Sequence, residues 1–265
     1  MTTMDLAYET CGTGLPLVLL HAYPLSRAIW RPVASRLAST AHLVLPDLRG
    51  FGASPGGPQP AAFGDYGDDV VALLDRLGLA RVVLAGVSFG GYIALDLLRR
   101  HPERLAGLVL SNTRATADTA AGVAARAQQA ALAETHGAAA VADQMLPRLL
   151  RPDAPEEVQR AVGRIITANQ PGAIAAATRA MALRQDTSAL LGQIAVPTLV
   201  IGATDDPLIA PADTVALHRA IPDSSLLICR ASGHLSCLEQ PTSWAAAVAA
   251  LLRRVATAEP RLSRC

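Results

Sequence analysis

Short apolar runs closed by Pro or Gly alternate along this chain with longer segments of helical spacing, and no other feature restricts the fold as much. LPLVLLHAYP (15–24) and HLVLPDLRG (42–50) are short, rich in branched residues and end in loop formers, which marks them as buried strands. IWRPVASRLAS between them fits a helix. DDVVALLDRLGL (68–79) has helical spacing and leads into RVVLAG (81–86), a further strand; GYIALDLLRRHPERL (91–105) is helical up to Pro102, and AGLVLSNT (106–113) is again strand-like. Parallel neighbours need a crossover, and a continuously apolar strand must be covered on both sides. The rhythm therefore specifies an α/β fold: a mostly parallel sheet with helices on both faces.

Residues 113–190 depart from it. They are alanine-rich helical patterns broken at Gly137, Pro147, Pro152 and Pro171, with no strand-like run. The β pattern resumes at VPTLVIGATDDP (196–207), followed by a helix at 211–221, the strand SLLICRASGH (225–234) and a last helix over 241–254. The expected organisation is a core of 1–112 and 191–257, a helical cap over 113–190, and a flexible tail at 258–265. The insertion falls between two strands of one sheet, which favours a lid over a separate docking domain. GASPGGPQPAAFGD (52–65) reads as a surface loop.

Composition excludes several function classes. The 265 residues are 51% hydrophobic and 17% charged, with a net charge of +1 and no run of like charges, so nucleic acid and anionic lipid are not indicated as partners. A neutral small molecule is the expected partner. The chain has no lysine, which rules out Schiff-base chemistry through that side chain. Cys11, Cys229, Cys237 and Cys265 are scattered without C-x-x-C spacing, arguing for free thiols over a zinc knuckle or redox pair. The N-terminal MTTMDLAYETCG lacks a basic start followed by an apolar stretch, and no uninterrupted run is long enough to span a bilayer, so the cytoplasm is the expected location. No metal or cofactor motif is visible, and the chain is expected to be a monomer or homodimer.

The chemistry concentrates in LAGVSFGGY (84–92). Gly86-Val87-Ser88-Phe89-Gly90 places a serine where a buried strand turns sharply into a helix, with small residues clearing space around it. Phe89, directly after the serine, supplies a backbone N–H for a developing oxyanion. Gly52-Ala53-Ser54-Pro55-Gly56 matches the same pattern, but Pro55 has no N–H and no helix begins there, so Ser54 is set aside. A serine hydroxyl needs a base, and the base needs an orienting carboxylate. His234, immediately after the last strand, is the candidate base. His218 lies in a helix, His101 precedes Pro102, His136 lies in the insertion and His42 opens an early strand. Between Ser88 and His234, Asp205 and Asp206 end the penultimate strand. Adjacent side chains point in different directions, so only one of the two can serve.

The segments HAYPLSRAIW (21–30), DLRGFGAS (47–54), GVSFGG (86–91), GATDDPLIAP (202–211) and SGHLSCLEQP (232–241) together resemble the α/β-hydrolase fold family, almost from end to end. They are most similar to 3-oxoadipate enol-lactonases, small esterases and cofactor-free haloperoxidases. The resemblance implies Ser88, Asp206 and His234 as a catalytic triad, with Asp206 preferred over Asp205. It also implies a second oxyanion donor in the Tyr23 N–H beside that of Phe89, and no metal or cofactor. Tyr23, Ala22 and Trp30 are the expected substrate-facing residues. His21, Asp47 and Arg49 are expected to fix loops, and Cys237 to pack near the site. This chain has Ala22 where the family usually has glycine.

The expected activity is cleavage of a small carboxylic ester or lactone through an acyl-enzyme. Perhydrolysis and carbon–carbon bond hydrolysis use the same triad and stay open. Epoxide and haloalkane chemistry do not fit a serine elbow, nor does an insertion without Tyr, Trp or Phe fit epoxide activation. Arg114, Arg179 and Arg184 are candidate partners for a substrate carboxylate, although charged helix residues are more often solvated. A low-turnover binding module on a hydrolase scaffold is the alternative of another class.

Overall fold

The apolar runs all become strands, but they stop short of where apolarity alone would carry them. The computed structural model of the chain describes residues 3–57 and 61–258. In chain order it contains β1 (Tyr8–Cys11), β2 (Leu15–Leu20), α1 (Arg31–Leu37), β3 (Ala41–Pro46), α2 (Phe63–Arg76), β4 (Val82–Val87), α3 (Phe89–Arg100) and β5 (Leu105–Ser111). There follow α4 (Ala120–Leu149), α5 (Glu156–Thr167), α6 (Pro171–Ala182), β6 (Thr198–Ala203), α7 (Pro211–Ala220), β7 (Ser224–Cys229), α8 (Ser236–Glu239) and α9 (Pro241–Ala258). Five of the six runs extend past their strands at the C-terminal end, and in three of them His21 to Tyr23, Asp205 with Asp206, and His234 lie in loops beyond β2, β6 and β7.

The strands form one sheet in the order β1-β3-β2-β4-β5-β6-β7. Every pairing is parallel except β1 with β3. Every residue of β4, β5 and β6 is buried. Successive side chains of a strand point to opposite faces, so this burial means that both faces are covered. The sequence gives no signal for β1, whose four residues are all exposed on the sheet edge. Beside the sheet, α2 packs on α3 and α1 on α9. Trp30 and Trp244 meet in the core with ring centroids 5.4 Å apart.

Between β5 and β6 the chain makes α4, α5 and α6, with α4 packed on both of its partners. Gly137 interrupts α4 at a φ of 79°, as its break signal indicates. Pro147 does not end the helix: α4 runs on to Leu149 without the bond that an N–H at position 147 would have made. Pro171 opens α6, where a missing N–H costs nothing. The expected tail lies outside the described residues from 259 onward, as do residues 58–60 of the loop.

Ser54 is a structural residue. Its buried hydroxyl donates to the Asp47 carbonyl at 2.6 Å and accepts from the Ala7 N–H at 2.9 Å, tying the loop after β3 to the N-terminal segment. Ser54→Ala is expected to lower the unfolding free energy by roughly 1–3 kcal/mol, because two polar groups lose their partner. Denaturant titration measures this, and an unchanged midpoint would contradict the assignment.

Candidate active site

The turn from β4 into α3 is built by steric exclusion. Ser88 has φ 54° and ψ −109°, a conformation that non-glycine residues seldom adopt. A Cβ on Gly86 would fall 2.2 Å from the Gly90 carbonyl, and one on Gly90 would fall 2.2 Å from the Leu20 carbonyl oxygen, so neither position has room for a side chain. The surroundings over-determine the strained residue. Ser88 N–H donates to Ser111 O at 2.9 Å, while Ser88 O accepts from Thr113 Oγ1 at 2.9 Å and Tyr92 N–H at 3.1 Å. Phe89 begins α3, and the first N–H groups of a helix have no intrahelical acceptor.

His234 and Asp206 form the second component. Nδ1 of His234 lies 2.8 and 3.0 Å from the two Asp206 carboxylate oxygens, with both residues buried. The same carboxylate accepts from Leu208 N–H at 2.8 Å, Ile209 N–H at 3.0 Å and Asn112 Nδ2 at 2.9 Å. Burial alone would raise the Asp206 pKa, but the charge and hydrogen bond of His234, joined by the other donors, outweigh it and hold the group below its ordinary value. Asp205 is exposed, and its N–H donates to Ser232 O at 3.0 Å. An ionised carboxylate only accepts, so His234 carries its proton on Nδ1 and presents the lone pair of Nε2. That Nε2 is buried and has no hydrogen-bond partner among the described residues. Ser88 and His234 line the same cavity without a hydrogen bond between them in this structure.

Two supports were not anticipated. Asn112, at φ 46°, is fixed by Ser236 Oγ, which donates to its Oδ1 at 2.6 Å, and by Ser111, which accepts in turn from Trp244 Nε1 at 3.1 Å. The available signal was a polar residue directly after an apolar strand. Glu239 holds the loop before His234, accepting from Gly233 N–H at 2.7 Å and Ser232 Oγ at 3.3 Å; burial raises its pKa.

The loop after β2 places its residues differently from one another. Tyr23 lines the cavity. Ala22 and Trp30 are fully buried and do not; Trp30 lies against Trp244 in the core. His21 accepts at Nε2 from Leu48 N–H at 2.9 Å and donates from Nδ1 to Ala22 O at 3.0 Å, so both ring nitrogens are occupied by the backbone. Asp47 accepts from Arg27 N–H and Ala53 N–H, each at 2.8 Å, and Arg49 grips Asp69 at 2.7 and 2.8 Å. Cys229 and Cys237 are buried free thiols, and burial pushes the Cys229 thiol up to about 11 and Cys237 up as well.

The cavity itself measures about 280 Å³. Leu208 and Ile209 line it from the loop after β6, and Gln129, Met145 and Met181 from α4 and α6. Of the three arginines named from sequence, Arg114 lines it. Arg184 is buried with its guanidinium 4.2 Å from the Tyr92 ring centroid, and Arg179 pairs with Glu134 at the surface. Arg126, Arg148 and Asp118 also line the cavity, and no local pattern pointed to them. Among the described residues, no helix is long and apolar enough to cross a membrane.

A strained serine at a strand-to-helix turn, with a His–Asp pair at later strand ends of a mostly parallel sheet, defines a class. A family model described as alpha/beta hydrolase fold matches residues 16–241, and the chain belongs to that family. It is 30% identical over 262 residues to 3-oxoadipate enol-lactonase 2 of Acinetobacter baylyi, with 96% of each chain covered. Among solved structures, it is similar to a malate-bound thermophilic esterase from Thermogutta terrifontis (TM-score 0.92, 36% identity, 95% of this chain and 94% of that one). It is also similar to the enol-lactonase from Burkholderia xenovorans LB400 (TM-score 0.88, 26% identity, 94% and 97% covered).

The burial of His21 has a consequence for stability. Burial, which outweighs the Ala22 bond and the Asp47 charge, pushes its pKa down from 6.5 to about 4. The unfolded chain therefore takes up a proton here below pH 6.5 that the folded chain refuses until about pH 4. The stabilisation is complete above the first value and is lost toward the second, a total of roughly 3 kcal/mol. Denaturant titrations across this range are expected to show that share of the pH dependence disappearing in His21→Gln; an unchanged slope would contradict it.

Proposed function

We propose that the protein is a serine hydrolase that cleaves a carboxylic ester or lactone of a small molecule through an acyl-enzyme. Ser88 is the nucleophile, His234 its general base, and Asp206 the carboxylate that orients the imidazole and stabilises its protonated form. The backbone N–H groups of Phe89 and Tyr23 are the donors to the tetrahedral oxyanion, each worth roughly 3 to 4 kcal/mol in catalysis of this type. The segment 113–190 is the cap, since α4 and α6 contribute cavity wall opposite the elbow serine.

The observation that carries the reading is the buried His234 with Nδ1 on Asp206 and Nε2 unpartnered, lining one cavity with the strained Ser88. A merely structural histidine satisfies both nitrogens, as His21 does. Likeness to an enol-lactonase and to an esterase supports ester or lactone cleavage at that level of detail.

In the first half-reaction the Ser88 hydroxyl attacks the ester carbonyl carbon while its proton passes to His234 Nε2. The tetrahedral oxygen carries the negative charge and sits against the two N–H donors. Collapse expels the alcohol, or opens the lactone ring, with His234 returning the proton to the leaving oxygen. Water then attacks the acyl carbonyl by the same route and releases the acid. Asp206 stays ionised throughout because its pKa lies below the ordinary value.

Hydrolysis of short p-nitrophenyl esters tests the assignment. Ser88→Ala is expected to lower kcat by roughly 10³-fold or more, and Asp206→Asn by about 10⁴-fold. Asp205→Asn, at an exposed carboxylate, should cost less than about twofold. Full activity in Ser88→Ala, or a larger loss at position 205 than at 206, would overturn it.

A further inference from the structure

Buried polar side chains are almost always hydrogen-bonded, so one that is not marks a place where whatever fills the neighbouring space has to supply the partner. Besides His234 Nε2, two such groups belong to residues that line the cavity: Arg114 Nε and the Tyr23 hydroxyl. Arg114 is still tied to Asp118 through Nη2 at 2.8 Å, whereas the hydroxyl is the only polar group of its side chain and is bonded to nothing among the described residues. Tyr23 is 5% exposed. Its ring meets Phe51 edge to face with centroids 6.3 Å apart, which limits the swing of the oxygen. Thr178, buried in α6, is close enough to act on that oxygen, but no bond of normal geometry joins them, and the Thr178 hydroxyl donates to Gln129 Oε1 at 3.3 Å. Gln129 in turn directs Nε2 to the Met145 sulfur at 2.9 Å and to Gln144 Oε1 at 3.4 Å. These residues of α4 and α6 pair among themselves and leave Tyr23 out. Burial, which outweighs Thr178 and Arg126, pushes the Tyr23 pKa up, so the group stays a neutral donor.

We infer that the Tyr23 hydroxyl is a specificity-determining donor: besides its scissile carbonyl the substrate carries an uncharged oxygen, of a ketone, ether or hydroxyl, that accepts from Tyr23 Oη. This rests on the serine-hydrolase reading and specifies its substrate further. In that reading the backbone N–H of Tyr23 holds the carbonyl oxygen, so one residue grips the substrate at two points separated by the length of its own side chain. A saturated chain in the same place would strand the buried donor. A site that leaves its own polar group unpaired discriminates far more strongly than one that merely loses apolar contact. A single neutral donor does not offset the desolvation of a full charge, which is why the acceptor is uncharged. The Phe51 contact orients the ring beforehand, so little side-chain entropy is lost on binding. Position after β2 places Tyr23 at the cavity; only the packing of α6 and α4 leaves its hydroxyl without a partner.

The test pairs esters that differ by one oxygen. Methyl levulinate and its next two longer homologues, with the ketone kept beside the terminal methyl, are each compared with the alkyl ester of the same chain length. Methoxyethyl acetate is compared with butyl acetate, so that the acceptor is offered on either side of the scissile bond. Wild-type enzyme is expected to favour the oxygen-bearing member of at least one pair by about fivefold or more in kcat/KM. Tyr23→Phe keeps the ring and the backbone N–H and removes only the hydroxyl; it should lower that ratio about fivefold or more. Each ratio is taken within one enzyme, so a general change in activity cancels. If wild-type enzyme distinguishes no pair, or if its preference survives in Tyr23→Phe, the inference is overturned, while the hydrolase reading stands on the loss of turnover in Ser88→Ala. If none of these esters nor any p-nitrophenyl ester is turned over, both fall.

Discussion

The bond between the Asp206 carboxylate and Nδ1 of His234 is the interaction on which the site depends. It ties loops that follow two different strands, and by accepting a proton donor it dictates which tautomer the imidazole holds. An isolated buried carboxylate would be protonated or expelled. Here the cost of burial is offset by four groups that donate to one side chain, two of them from the Leu208 and Ile209 backbone. Asn112 extends the arrangement inward through Ser111 and Ser236 to Trp244, so that the orientation of the acid is anchored in the core of the sheet.

The same device recurs elsewhere in the fold. Asp47, at the end of β3, gathers Arg27 and Ala53; Asp69 takes the Arg49 fork; Glu239 gathers the residues before His234. Asp118, where burial alone would raise the pKa, is held far below the usual carboxylate range by Arg184 and Arg126. Each carboxylate accepts donors from segments distant in sequence and so sets the path of a loop that has no regular hydrogen-bond ladder. The sheet supplies rigid strand ends, and these buried anions determine where the chain goes after leaving them.

Much of this was legible in the residue order, for reasons that differ by element. Buried strands such as β4 and β5 are apolar on both faces and announce themselves, whereas β1 is exposed along its length and carries no pattern. Ser88 was readable because steric crowding demands glycines at fixed offsets, and the Pro55 test separated it from Ser54 without coordinates. The choice between Asp205 and Asp206 lies in which side chain turns inward, a property that spacing alone leaves open and resemblance had to supply. Trp30 lies in the core against Trp244, where an aromatic residue fits as well as it does in a cavity wall, and the residue order does not separate the two. The Asp118 cluster had no signal at all: its partners are separated by a whole helical insertion and meet only through the packing of α4 and α6.

The central claim, that His234 makes the Ser88 oxygen nucleophilic, is tested most directly by covalent labelling with an aryl phosphonate ester. Trypsin cuts this lysine-free chain only at arginine, so Ser54 and Ser88 fall on separate peptides, 50–76 and 82–99. Mass spectrometry is expected to find one adduct, on 82–99, formed rapidly in the wild type and at least about 10²-fold more slowly in His234→Ala. An adduct on another peptide, or labelling of Ser88 at an undiminished rate without the imidazole, would contradict the account.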